Sequence, residues 1–128
     1  MIVDSSALLA VLFREEDAER YEKAIAAAPN CRMSVANLLE VFVVVERRGG
    51  TAAGQECDAF LDKAEIDPAP VMPEHAQEAR RAWRRFGKGN HPAALNFGDC
   101  FAYALARTTG EPLLFKGDDF ARTDIEAA

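Results

Sequence analysis

The sequence predicts one α/β domain, a parallel β-sheet sandwiched between α-helices, and three observations predict it. Short apolar runs alternate with longer segments whose apolar residues recur every three or four positions. The 128 residues suit one compact domain spanning 1–128. No internal repeat, low-complexity stretch or linker divides them.

The elements follow in order. Met1-Ile2-Val3 reads as a buried strand ending at Asp4, and the helix-forming run Ala7 to Phe13 follows the polar junction Asp4-Ser5-Ser6. Ala18, Tyr21, Ile25 and Ala28 place one face of an amphipathic helix over Glu15 to Ala28, closed by Pro29-Asn30. Cys31 to Met33 is a short strand, with Ser34 positioned to cap the next helix. In that helix Val35, Leu38, Leu39, Phe42 and Val43 form the core-facing stripe, and Gly49-Gly50 stops it. Thr51 caps a further helix bearing Ala53, Cys57, Phe60, Leu61 and Ala64. Ile66 lies in a strand, and Pro68, Pro70 and Pro73 exclude helix between them. Pro73 opens a helix whose apolar side is Ala76, Ala79, Trp83 and Phe86. Gly87 to Pro92 is a loop, Asn96 caps a helix running to about Thr108, and Gly110 ends it. Leu113 to Phe115 is a strand, Gly117-Asp118-Asp119 a turn, and Ile125 a last edge strand.

Composition excludes several classes. Hydrophobic residues make up 49% and charged residues 28%, the balance of a globular protein. No apolar run approaches the roughly 20 residues that span a bilayer, and no basic stretch precedes the first apolar residues as in a secretory signal. Cys31, Cys57 and Cys100 are odd in number and lack CxxC spacing, which excludes a disulfide framework and points to the cytoplasm. A net charge of −6 argues against a passive nucleic-acid binder. Carboxylates holding a cation would account for part of it.

Four acidic positions stand apart. Asp4 and Asp119 (with Asp118 beside it) each follow a predicted strand at its carboxyl end, where open α/β sheets build their sites. Glu40 lies among apolar residues of the third helix, and Asp99 in the first turn of an otherwise apolar helix. Each alone has an ordinary reading: helix-dipole chemistry for Asp99, a polar seam for Glu40, turn chemistry for Asp118-Asp119. Asp4 is harder to explain so, because a carboxylate beside a buried strand is costly unless paired or bound to metal. Gathered oxygen ligands select hard cations such as Mg²⁺ or Mn²⁺, which activate water and stabilise the leaving oxygen of a phosphoryl displacement. Other chemistries lack their residues: there is no GxSxG elbow, no phosphate loop and no GxGxxG fingerprint, and His75 and His91 have no triad partners.

The run Arg80-Arg81-Ala82-Trp83-Arg84-Arg85-Phe86-Gly87-Lys88 carries five basic residues and no acid. It is either a solvated helix face or a phosphate contact along a nucleic acid. Helical spacing assigns Trp83 and Phe86 to the core rather than to base stacking.

Met1-Ile-Val-Asp4-Ser-Ser-Ala-Leu, Ser34-Val-Ala-Asn-Leu-Leu-Glu40-Val, His91-Pro-Ala-Ala-Leu-Asn-Phe-Gly-Asp99-Cys-Phe-Ala-Tyr-Ala and Leu113-Leu-Phe-Lys-Gly-Asp-Asp119-Phe together resemble the PIN domain, and more narrowly the VapC toxins of type II toxin–antitoxin pairs. The resemblance runs from Met1 to about Ile125 in the family's order. It implies a usually dimeric parallel-sheet fold, Mg²⁺- or Mn²⁺-dependent endonucleolytic cleavage of structured RNA of the tRNA or rRNA class, and a cognate VapB antitoxin that blocks the site. It places metal-binding acids at Asp4, Glu40, Asp99 and Asp119, with Asp118 equally close in sequence. It matches Ser6 and Asn96 to polar residues near the site. On this reading Arg80, Arg81, Arg84, Arg85 and Lys88, with His91, hold RNA outside the acid pocket.

Two other readings use the same residues. A noncatalytic RNA- or protein-binding module keeps the fold without the activity. Phosphoryl transfer onto Asp4 uses the same carboxylates, although Ser6 stands where the Asp-x-Asp phosphatase spacing needs its second acid.

Overall fold

The computed structural model describes residues 1–128. Strands β1 (Ile2–Val3), β2 (Cys31–Ser34), β3 (Ile66–Ala69) and β4 (Leu113–Leu114) form one sheet in the order β3-β2-β1-β4, with every pairing parallel. Helices α1 (Ser5–Leu12), α2 (Ala18–Ala27), α3 (Val35–Lys63), α4 (Pro73–Phe86) and α5 (Phe97–Thr109) cover both faces.

Strand alternation splits the core into two layers. Ile2 and Leu113 face a cluster built with Ala79, Ala82, Phe86, Tyr103 and Leu105 of α4 and α5. Val3 and Leu114 face the opposite cluster, with Leu8, Tyr21, Ile25, Val41, Cys57 and Leu61 of α1, α2 and α3. Both residues of the two-residue strands β1 and β4 are therefore apolar, as a sheet covered on both sides requires. Pro68 fits in β3 because β3 is an edge strand, where a missing N–H leaves no ladder bond unmade.

The chain passes from β1 outward to β2 and β3, then returns to place β4 on the other side of β1. The crevice beyond the carboxyl ends of β1 and β4 is thus a topological switch point.

Several expected boundaries move. The second helix starts at Ala18, not Glu15, since Glu15 and Asp17 turn instead toward the ammonium of Lys116. The two helices expected on either side of Gly49-Gly50 run on without a loop, broken only at Gly50, whose φ of 65° and ψ of −164° are open to glycine alone. On α3 the core face is Asn37, Val41 and Val45, while Val35, Leu39 and Val43 are exposed. On α4 His75 and Ala82 are buried, and Ala76 and Trp83 are not. The strand β4 ends at Leu114, before Phe115. The expected edge strand at Ile125 is a single bridge from Leu113 to Ala127, made through Glu126 O and Ala128 N–H.

Gly50→Ala is expected to lower unfolding stability by about 1–3 kcal/mol despite the better helix propensity of alanine, measured by urea denaturation. No loss would mean that the break relaxes into a continuous helix.

Candidate active site

Asp4 follows β1 directly and caps α1, so the strand-to-helix junction fixes its side chain. Its backbone N–H donates to Leu114 O at 2.9 Å, which aligns the ends of β1 and β4. Its Oδ2 accepts the Ser6 N–H at 2.9 Å and the Ser6 hydroxyl at 2.5 Å. Ser6 Oγ in turn accepts the Lys116 N–H at 3.0 Å, so one hydroxyl ties the carboxylate to the chain leaving β4. Asp4 is only 3% exposed. Burial pushes its carboxyl above the usual range and the nearby Glu40 charge adds to this, against the pull of the Ser6 bonds.

Ser34 caps α3 through the Ala36 N–H, at 3.3 Å, and so orients the turn that carries Asn37 and Glu40. Asn37 is fully buried and its Nδ2 donates to Gly98 O at 2.9 Å, which joins α3 to the first turn of α5. One turn later, the Glu40 carboxylate lies against the bare Cα of Gly98. A methyl group there would stand 2.9 Å from Glu40 Cδ and nearer still to Oε2.

Asp99 closes a capping box. The Asn96 N–H donates to Asp99 Oδ2 at 2.9 Å, and the Asp99 N–H donates to Asn96 Oδ1 at 2.8 Å. The carboxyl of Asp99 is pushed up to about 7, first by burial and then by the negative charges of Asp4, Asp119 and Glu40. The backbone bond from Asn96 opposes this. Asp119 is exposed at the start of the 3₁₀ turn Phe120–Arg122 and makes no capping bond with its side chain. Asp118, also exposed, is not among the charges acting on Asp99.

The fold thus brings Asp4, Glu40, Asp99 and Asp119, from four separate segments, within electrostatic reach of one another at the switch point. All four offer hard oxygen donors, and Gly98 leaves room for the Glu40 carboxylate. No three of them meet at one point in ligating geometry, and Asp4 and Asp99 each commit an oxygen to a cap. The donor chemistry is that of a hard divalent cation, which would relieve the like-charge strain at Asp99.

The basic segment lies on α4 and the turn beyond it. Arg81 pairs with Glu78 at 2.8 Å and Arg85 with Asp124 at 3.1 Å, whereas Arg80, Arg84 and Lys88 are exposed with no carboxylate partner. His91 sits at the neck of the following loop, its Nδ1 accepting the Ala93 N–H at 3.0 Å. Phe86 is core as expected, but Trp83 is half exposed. Asn37 and Gly98 are the site residues that sequence reasoning missed. The Asn-x-x-Glu spacing on α3 was the available signal for the first, and glycine inside a helical first turn for the second.

This arrangement, a parallel sheet between helical layers with acids at the carboxyl edge, is that of a PIN domain, and the chain belongs to that family: the family profile, described as PIN domain, matches residues 1–126. Within the family it groups with the VapC proteins. It is 50% identical over 125 residues to Ribonuclease VapC30 of Mycobacterium tuberculosis, covering 98% of this chain and 95% of that one. It is 49% identical over 127 residues to Ribonuclease VapC of Mycolicibacterium smegmatis, covering 99% and 98%. Its fold matches the crystal structure of Mycobacterium tuberculosis VapC20, a sarcin–ricin loop cleaving toxin, with a TM-score of 0.80 at 18% identity over 99% and 97% of the two chains.

A carboxyl raised from 3.8 to about 7 contributes stability that is complete below pH 4 and is lost as pH rises toward 7. Asp99→Asn, which keeps the capping acceptor, is therefore expected to stabilise the metal-free protein by about 2 kcal/mol at pH 8. The gain should shrink steadily toward pH 4 in thermal unfolding followed by circular dichroism. Gly98→Ala is expected to leave the melting temperature within a few degrees while displacing Glu40. Calorimetric titration with Mn²⁺ should then show affinity reduced about tenfold; unchanged affinity would exclude the role given to the Gly98 cradle.

Proposed function

We propose that the protein is a Mg²⁺-dependent endoribonuclease, with Mn²⁺ able to substitute. It acts as the toxin of a type II toxin–antitoxin pair, cleaving structured RNA of the tRNA or rRNA class, and a cognate VapB-type antitoxin holds it inactive. The observation that carries this reading is the convergence of four carboxylates at the sheet's carboxyl edge, in a chain half identical to Ribonuclease VapC30 over nearly all its length.

Asp4, Glu40, Asp99 and Asp119 would hold the cation, with Asp118 placed to add a water-bridged contact. When bound, Mg²⁺ supplies an activated water and charge compensation at the leaving oxygen of an in-line displacement. The chain's own residues do the rest. Ser6 aims the Asp4 carboxylate by two hydrogen bonds, which also oppose the upward push of burial. The capping box fixes Asp99, and the Asn37–Gly98 bond keeps Glu40 opposite it. The exposed Asn96 side chain uses its Oδ1 in the cap and keeps its amide N–H free for the substrate. Arg80, Arg84 and Lys88 hold backbone phosphates outside the pocket, with His91 beside them. Arg81 and Arg85 contribute less, being neutralised by Glu78 and Asp124. Attack on phosphorus leaves a 5′-phosphate and a 3′-hydroxyl.

Two further features support the setting. Val35, Leu39 and Val43 form an exposed apolar stripe at four-residue spacing on α3, and Phe97, 81% exposed, stacks edge-on with Phe101 on α5. Together these supply the apolar surface of a homodimer contact. The three cysteines are free and buried, consistent with a cytoplasmic protein, and no helix is long and apolar enough to cross a membrane.

In an assay on structured RNA, cleavage is expected with Mg²⁺ or Mn²⁺ and not with EDTA. Asp4→Asn or Asp99→Asn should reduce it about a hundredfold or more. Cleavage that persists in either variant excludes the assignment, and RNA bound but never cut would favour a noncatalytic module.

A further inference from the structure

Trp83 is the chain's only tryptophan, and it is 50% exposed on a helix whose other large residue, Phe86, is buried. Its ring is nevertheless held. The indole edge lies against Gly87, where a Cβ would stand 2.6 Å from Cδ1, 3.0 Å from Cγ and nearer still to the Trp83 carbonyl oxygen, so glycine at 87 admits both the turn and the ring. The Trp83 carbonyl accepts the Gly87 N–H at 2.8 Å and the Asn90 Nδ2 at 3.1 Å, which secures the same turn. Half of the residue remains open to solvent.

Its surroundings are cationic. Arg80 is one turn before Trp83 and Arg84 immediately follows it, and neither has a carboxylate partner on a protein of net charge −6. Unpaired Lys88 follows the supporting glycine. This segment is tied to the acid site through the backbone. The Leu95 N–H donates to Phe86 O and the Lys88 N–H to Leu95 O, both at 2.9 Å. The next residue, Asn96, gives its N–H to Asp99 Oδ2.

We infer that Trp83 is a stacking platform for one unpaired base of the bound RNA, with Arg80, Arg84 and Lys88 on the flanking phosphates. The inference rests on the ribonuclease reading and adds a base contact to it. An apolar protein side chain would be matched by apolar neighbours, whereas unpaired cations around an open aromatic face match a polyanion with exposed π-faces. A paired helix offers no such face, so the ligand is a loop, bulge or single-stranded end.

The sole tryptophan makes the test direct. RNA is titrated into the wild-type protein in EDTA, following Trp83 fluorescence for contact and anisotropy of labelled RNA for affinity. A hairpin with an unpaired loop is compared with a blunt duplex of equal length. The hairpin is expected to quench Trp83 and the duplex to bind without quenching. Trp83→Ala should weaken hairpin binding about tenfold and leave duplex binding unchanged, while Trp83→Phe restores most of the loss. Arg80→Ala with Arg84→Ala should weaken both RNAs alike and flatten the salt dependence. Hairpin binding without quenching, or equal loss for both RNAs in Trp83→Ala, overturns the platform and leaves the ribonuclease reading intact. Quenching by the cognate antitoxin but not by RNA assigns this face to the protein partner and overturns it equally. A wild-type protein that binds no RNA overturns both.

Discussion

The structure is organised around the repulsion of carboxylates assembled where little water reaches them. Asp4 is almost wholly buried at the end of the central strand, and Asp99, Glu40 and Asp119 add their charges across the same crevice. Asp4 and Asp99 are poorly solvated, and three of the four acids have a local device: hydrogen bonds from Ser6 for Asp4, a capping box for Asp99, an open position beside Gly98 for Glu40. These devices orient the acids but do not cancel their charge. A protein that keeps this tension in its cation-free state has an electrostatic reason to bind one.

The two helical layers divide the work. The α1, α2 and α3 layer supplies Asp4 and Glu40 from the ends of β1 and β2, whereas α5 brings Asp99 from the opposite layer. Asn37 spans the seam between them. Its Oδ1 is buried without a partner, which costs about 1–3 kcal/mol. An apolar residue would avoid that cost but would lose the bond to Gly98 O that holds the layers in register. Keeping the amide there favours alignment of the acids over local stability.

The parts of the fold that the sequence made readable were those fixed by short-range rules. Apolar runs located β1 and β4, Asn96 and Gly110 marked both ends of α5, and Ser34 marked the start of α3. Asp4 and Asp99 stood out because a strand end and a helix cap are local features with a clear grammar. What failed depended on contacts across the chain. Of the stripe Val35, Leu38, Leu39, Phe42 and Val43, only Leu38 and Phe42 pack on the core, because α3 rolls so that Val41 and Val45 are buried, a choice made by neighbours and not by period. Trp83 lies outside the core because His75 and Ala82, less apolar on paper, occupy the buried side of α4. Gly98 mattered only once Glu40 was seen to lie over it, from 58 positions earlier (98 − 40).

The break at Gly50 sets the reach of the longest element. Twenty-nine residues of unbroken α-helix would form a rod about 43 Å long, whereas a globule of this chain length has a radius of gyration of only about 14 Å. Its far end would project into solvent and take Cys57 and Leu61 with it. One glycine turns the rod back, and the distal half joins the same apolar layer as Val41 and Val45. The turn that carries Glu40 is thereby braced from both directions along a single stretch of chain.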